Sequence, residues 1–592
     1  MKKYSQPQIP NHRSKFPPLL GFLIVTLLVL GFFASGGIFP TPFIEKAEAA
    51  TLTVGPGETY TTITAAITAA SNGDTIYVKN GTYTENLAIG KALTIQGESN
   101  TATIITAAAA GTIVNITSVT VTIDNLNITS SRNDNSNIVV TNENNLTVTN
   151  SKIHDISVAT GAISGIKGSN YTRVENNEIY NLTTPNAGIT AIGNSNHISN
   201  IAYKNNYIHD ISGSSASQVI TSTNNSGNVS YLYPTWNVIS GNTLEDISAG
   251  YGIMTYYSYV YSTYLVVENN TLTNVANGIH LGRYLNHHNI YRYNNITCAV
   301  GGGNGIYLIS DNEEIYSNII KGCTSGISAD NGGGGSADNG VYYHNILVGN
   351  TTQATDNGTG NTWYDISTNQ GNYFSNHNTP DANDNGIVDT AYTITGAAAA
   401  SDPYPLAISK AFFEDANSNP VTSYNSGDDL AIRARDFSLN LNSGFVETTQ
   451  ATITNSANGD SETFTLTETG ADTGIFELKD IPTVSGETPV SGNNKIDIVV
   501  GTNTFQLTYA NVYDAGDTSM ATATMIVPSP APSVVFSVTA TATADASVAS
   551  TTAAISILPE TGSREAKFPI FYIVFSLVLL TTIYSVVKSG FW

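Results

Sequence analysis

At 592 residues the chain has room for two or three domains, and its formal net charge of −23 excludes nucleic acid and other polyanions as partners unless a divalent cation bridges them. Only 12% of its residues are charged, while Gly, Asn, Thr, Ser and Tyr abound, a balance that suits an all-β extracellular protein.

Residues 1–49 read as an export signal: Lys2, Lys3, Arg13 and Lys15, an apolar run from Leu19 to Phe33, then Ala47-Glu48-Ala49 as a small-residue cleavage site. The distance from the apolar run to that site is long, so an uncleaved membrane anchor stands beside this reading. Gly55-Pro56-Gly57 marks a turn, and Ile63, Ala66, Ile67 and Ala70 are at helical spacing, which predicts a short amphipathic helix plugging one end of a core. Turn and strand signals then alternate through Gly73–Val78, Gly81–Tyr83 and Leu93–Gly97.

From there one phrase recurs, asparagine, one residue, then isoleucine or leucine. The apolar member falls at Ile128, Ile153, Ile179, Ile208, Leu244, Leu272, Ile296, Ile320 and Leu347, with gaps of 25, 26, 29, 36, 28, 24, 24 and 27 residues. Each gap is the length of one coil of a β-solenoid, and a coil buries its apolar side only by stacking on its neighbours. Asn177, Asn206, Asn242, Asn270, Asn294, Asn318 and Asn345 precede the apolar residue by two, with Leu126 and Ser151 in the earliest copies. Their period assigns them to turns and amide ladders. A second phrase, Gly-Ile, begins at Gly165, Gly188, Gly252, Gly278, Gly305 and Gly326. The residue after it, Lys167, Thr190, Met254, His280, Tyr307 or Ser328, is expected to face outward and stack into one longitudinal face.

The segment 51–99 resembles the opening of pectin-lyase-like right-handed parallel β-helix proteins, and the later coils resemble their NosD-like branch. Gly371-Asn372-Tyr373-Phe374, the run Asp381–Asp389 and Asp402-Pro403-Tyr404-Pro405-Leu406 are similar to that family's closing pattern. The resemblance implies a right-handed parallel β-helix over 50–406. It leaves activity open, because the superfamily holds lyases, hydrolases, epimerases and non-catalytic surface proteins.

Residues 407–528 change to strand-like alternation such as Ala431–Arg435 and Glu462–Thr467, broken by Gly427-Asp428-Asp429 and Gly470–Gly474, which predicts an Ig-like β-sandwich. Residues 529–557, rich in Pro, Ser, Thr and Ala, read as an extended linker. Leu558-Pro559-Glu560-Thr561-Gly562 resembles the LPXTG sorting signal, which implies a sortase cutting between Thr561 and Gly562. The apolar stretch Phe568–Val587 is long enough to span a bilayer, so a plain membrane helix is the other reading; both tether the chain to a bacterial-type cell envelope. Removal of both ends leaves 15 basic and 43 acidic residues, a net charge of −28.

Chemistry is sparser. Asp381, Asn383, Asn385 and Asp389, with Gly386 in sixth place, follow the spacing of an EF-hand-like calcium loop, but Tyr392 stands where a bidentate glutamate belongs; Ca2+ and a plain Asx-rich turn both fit. Around His280 lie Tyr256, Tyr257, Tyr259, Tyr261 and Tyr284, which with Tyr307 offer the flat faces and polar tips that sugar rings stack on, or are ordinary β-surface residues. His280, Arg283 and Asp311 are the catalytic candidates for elimination or acid–base cleavage of a glycan, although no carboxylate pair is fixed and the signature runs of mannuronan epimerases and polygalacturonases are absent. His287 and His288 read as solvated loop residues before metal ligands, and few soft ligands are present for copper. Cys298 and Cys323 are one coil apart, close enough for a disulfide yet offset by one residue against the isoleucine frame, and both states stay open. The sequence therefore points to a surface-tethered β-helix that binds, and in one reading cleaves, a neutral or weakly charged extracellular polysaccharide, with a non-catalytic adhesin or stalk as the alternative.

Overall fold

The computed structural model describes residues 48–194, 200–224, 236–257, 264–282, 288–332 and 335–531, together with two short strands at 536–537 and 554–555. The chain divides at Ala49, and residues 50–592 form one unit. The export signal, the sorting motif Leu558–Gly562 and the C-terminal apolar run lie outside the described residues, among which no helix is long and apolar enough to cross a membrane.

The coil rhythm produces a parallel β-solenoid with three sheets. The first sheet runs through 12 strands from Thr51–Val54 to Val341–Tyr343, the second through 12 from Gly81–Thr84 to Tyr373–Phe374, and the third through 11 from Leu87–Ile89 to Thr352–Asp356. The isoleucines and leucines of the repeat superimpose rung on rung: Ile128, Ile153, Ile179, Ile208, Leu244, Leu272, Ile296, Ile320 and Leu347 are successive strand partners. All are fully buried, and each such side chain contributes roughly 1.5–3 kcal/mol by leaving water.

The asparagines form the expected ladder along the corner between the first and second sheets. From Asn177 to Asn345, each Asn donates its backbone N–H and its amide N–H to the Oδ1 of the asparagine one rung on, at 2.9 to 3.1 Å. Asn372 continues it, and its backbone N–H goes to the buried Asp402 carboxylate at 2.7 Å. Buried polar groups are thereby paired along eight rungs, which is what permits a turn of backbone inside the core boundary. From Asn177 to Asn345 the residue before each ladder position is held in the left-handed region, φ 60° at Asn176, 54° at Asn205 and 56° at Asn269, where asparagine is tolerated better than other side chains.

The N-terminal plug is the helix Ile63–Ala69, with Ile63, Ala66 and Ile67 buried against the core. Glu85 accepts the Ile63 and Thr64 N–H groups at its start, and the Lys91 ammonium donates to the Ile67, Thr68 and Ala70 carbonyls at its end. The helix dipole is thus met by a charge of the right sign at each terminus.

An all-β domain follows, as expected. Eight of its strands belong to one hydrogen-bonded sheet, and Thr483–Ser485 pairs with Ile496–Ile498 in a small two-stranded one, in place of the two large packed sheets expected of an Ig-like sandwich. The sheet curls: the Ala411 N–H of its first strand in order, Lys410–Glu414, donates to Ser519 Oγ on the seventh, Thr518–Val527, enclosing Phe413, Phe464, Phe476, Phe505 and Tyr509. This domain packs on the last coils through Ile319, Ile346, Tyr373 and Leu406 against Phe437, Leu441 and Tyr513. Polar contacts reinforce the junction, with the Tyr373 hydroxyl 2.8 Å from Asp514 and Arg435 bonded to Asp381 and Asp384.

Candidate functional site

The outward column on the third sheet exists, with one correction. Strand register runs Lys167, Gly193, Thr221, Met254, His280, Tyr307, Ser328, Thr355. Thr190 pairs with Ser164 instead, because its rung carries two isoleucines and it is Ile192, not the Ile189 of the Gly-Ile phrase, that stacks on Ile166. Within the column His280 is wedged between Tyr251 and Tyr307, ring centroids 4.6 and 5.0 Å away. Both its ring nitrogens are out of contact with water and lack hydrogen-bond partners among the described residues. Burial pushes its pKa down to about 4, so the imidazole is neutral at ordinary pH, with one nitrogen carrying a hydrogen and the other a free lone pair. Tyr307 donates to Asp330 at 3.2 Å, and burial followed by that carboxylate pushes its pKa up to about 12.

Of the other expected members, Tyr307 is thus beside this histidine, and Asp311 has partners of its own. Asp311 accepts from Ser336 Oγ and the Asp338 N–H, at 2.8 and 3.1 Å. The backbones of Tyr256 and Tyr257 belong to the strand Tyr251–Tyr257, but their side chains, and all of Tyr259, Tyr261, Arg283, Tyr284 and His287, lie outside the described residues. His288 is exposed.

A second outward strip, on the first sheet, escaped the sequence reading. The position two residues before each ladder asparagine stacks into a column whose last members are Glu268, Arg292, Tyr316 and Tyr343. The Tyr316 and Tyr343 rings are parallel, 4.9 Å apart. Arg292 Nε donates to Glu268 and Nη1 to the Tyr316 hydroxyl, both at 2.8 Å; burial works against its charge, but these two partners outweigh it and its pKa rises. Tyr343 hydrogen-bonds the half-buried Glu314 carboxylate, whose pKa burial still raises. Beside the column sit Tyr293 and His344, in the left-handed slot at φ 58° and 53°. Other rungs place Asn125, Asn150, Asn176, Asn205, Gly241, Asn269 or Ser317 there. An aromatic ring or imidazole in this backbone conformation is strained, and such strain collects at functional positions. Tyr293 meets Tyr316 edge to face at 6.0 Å, while burial lowers the His344 pKa and leaves its Nε2 without a partner. The signal was in the sequence as Tyr-Arg-Tyr-Asn, Ile-Tyr-Ser-Asn and Tyr-Tyr-His-Asn ahead of Asn295, Ile319 and Ile346, but it shows only once the asparagine is used as the ruler.

A third column, on the second sheet, stacks His154, Tyr180 and His209 at 4.7 and 4.9 Å with nearly parallel planes. Each histidine is tied to its following aspartate, Asp155 or Asp210. The depression of about 440 Å³ near the end of the solenoid, lined by residues 356–361 with Ala397, Ala398 and Ala400, has its carboxylate spent: Asp356 accepts from the Gly358 N–H, Asn361 and Trp363.

The calcium-loop residues do share one turn. Asp381 accepts from the Asn385 and Gly386 N–H at 2.9 and 2.8 Å, Asn383 bonds Asp389 at 3.2 Å, and Asn385 accepts from Ile387. Arg435 of the C-terminal domain bonds Asp381 at 3.0 Å. Among the described residues no three His, Cys, Asp or Glu side chains gather as a metal centre. Cys298 and Cys323 are disulfide-bonded, Cα atoms 5.0 Å apart. The one-residue offset vanishes because Gly322, at φ 63°, is an extra left-handed residue that the Cys298 rung lacks.

No family model matches the chain, and no curated protein does either. Among solved structures it is similar to a PL6 alginate lyase complexed with a trisaccharide, at 17% identity and TM-score 0.35, covering 55% of this chain and 85% of that one. It is also similar to the Aspergillus niger pectin methylesterase, at 19% identity and TM-score 0.27 over 42% and 85% of the two chains. A third is the GH87 alpha-1,3-glucanase of Streptomyces thermodiastaticus, at 15% identity and TM-score 0.26 over 54% and 71%.

Proposed function

We propose that this protein binds an extracellular polysaccharide along the outward strip of the first sheet. One observation carries the reading: Tyr293 and His344 occupy left-handed corner positions, a conformation that costs stability, beside the stacked Tyr316 and Tyr343. Tyrosine edges and hydroxyls on consecutive rungs suit sugar rings, and the already neutralised Arg292–Glu268 pair favours a neutral or weakly charged chain. In the same reading the Leu558–Gly562 motif tethers the molecule to the envelope, and residues 381–389 bind Ca2+ weakly, at the millimolar level of extracellular modules, in competition with Arg435.

A glycan array probed with the full chain, with and without EDTA, tests it. Tyr316→Ala and Tyr343→Ala are each expected to weaken the best signal about ten-fold, the loss of a stacking contact worth ~1.4 kcal/mol. Absence of signal on every glycan would leave the adhesin or stalk reading. Cleavage rests on the neutral His280 between Tyr251 and Tyr307 and is tested by new reducing ends on incubation with the bound glycan, lost in His280→Ala.

A further inference from the structure

Two segments meet at one end of the C-terminal sheet: the loop 440–447, which leads into the strand Thr448–Asn455, and the turn 469–474 that follows Asp460–Glu468. Glu468 ties the turn, its Oε1 accepting the Thr473 and Gly474 N–H groups at 2.7 and 2.8 Å, while its Oε2 accepts the Glu447 N–H at 3.3 Å. Glu447 Oε1 accepts the Asn442 N–H at 2.8 Å. Asn440 gives its amide N–H to Asp472 at 2.9 Å across the two segments. Two oxygens are left over. Glu447 Oε2 and Asn440 Oδ1 are both shielded from solvent and neither has a hydrogen-bond donor, and Asn440 is only 4% exposed.

Among the described residues neither glutamate forms an ion pair with a lysine or arginine: the Arg433, Arg435, Lys479 and Lys495 pairs of this domain all go elsewhere. Burial, and then the adjoining Glu468, raise the Glu447 pKa. Two adjacent carboxyls, Glu468 buried and Glu447 with one oxygen shielded, and neither with a counter-charge, call for either a shared proton or a cation. The orphaned amide oxygen decides between them, because Asn440 Oδ1 takes no proton at ordinary pH and a proton held between the glutamates leaves it unmet. A hard cation would meet both leftover oxygens and counter the charge of the glutamate pair.

We propose that Glu447, Glu468 and Asn440 hold a divalent cation of the calcium class, which fastens the loop 440–447 to the turn 469–474. Water and the second carboxylate oxygens complete the shell.

Terbium luminescence on the EDTA-stripped full chain tests this, with Tyr293 and Tyr513, whose hydroxyls feel the Glu447 charge, as sensitisers. Measurement in an Asp381→Asn background silences the 381–389 loop, so the two sites are read apart. Expected are a remaining signal that Ca2+ displaces, at least ten-fold weaker binding in Glu447→Gln, and tighter binding in Asn440→Asp, which adds a third carboxylate. Should Glu447→Gln misfold, Asn440→Asp alone carries the test. A signal that is absent in the Asp381→Asn background, or is indifferent to these changes, overturns the proposal.

Discussion

Tyr293 and His344 occupy a left-handed backbone slot that costs stability. At the same corner most other rungs place Asn or Gly, with Ser317 the exception; the left-handed cost of Asn and Gly is small, whereas an ordinary L side chain there gives up about 1–2 kcal/mol. Tyr293→Asn is therefore expected to raise stability by ~1 kcal/mol, read as a shifted urea midpoint at unchanged slope, while weakening glycan binding. A variant that loses both would mean that Tyr293 is packed for stability alone. Ladder asparagines could be read as structural from their period, since nothing but stacking repeats at that interval. Asp402 could not, because the residue that ends a ladder has no repeat to belong to.

At the scale of the coil, the sequence frame succeeded wherever one apolar residue marked each strand and failed where two competed, as Ile189 and Ile192 do. It also missed that left-handed residues such as Asp155, Asn274 and Gly322 are extra residues in their rungs, so counting from the isoleucine misjudged the register of the cysteines. The disulfide they form closes a 25-residue separation, for which loop-closure entropy gives about 3 kcal/mol. Reduction, or Cys298→Ser, is expected to lower the unfolding free energy by about that amount in denaturant titrations. The outward strips were harder to read than the core, because the inward residues are constrained to be apolar while the outward ones vary freely until a site selects them.

For the molecule as a whole, buried carboxyls set the pH response. Burial holds Asp402 up at about 7 and Glu313 at about 8, against hydrogen bonds that pull the other way. Both exceed their unfolded values of 3.8 and 4.5, so the folded chain binds more protons and stability falls as pH rises from about 4.5 to about 8, then levels. A melting temperature higher at pH 5.5 than at pH 8.5 is expected from these two groups; the reverse order would place their charges elsewhere. The C-terminal domain was legible as strands but not as one curled sheet, since alternation reports each strand's faces and leaves its distant partners unstated. Its junction with the solenoid, Tyr373 to Asp514 across 141 residues, has no local signature.

The asparagine ladder has a sense: every rung offers two donors toward the C-terminus and one acceptor toward the N-terminus. Any coil is thus interchangeable with any other as far as its neighbours are concerned, and only the closing carboxylate of Asp402 must stay last. Removal of residues 271–294 would bring Asn270 directly before Asn295, the partner of Thr271 in the stack, and leave the seam intact. Molecules of this design can lengthen or shorten by whole cassettes during descent, changing the length of the solenoid while the elements that close its two ends remain as they are.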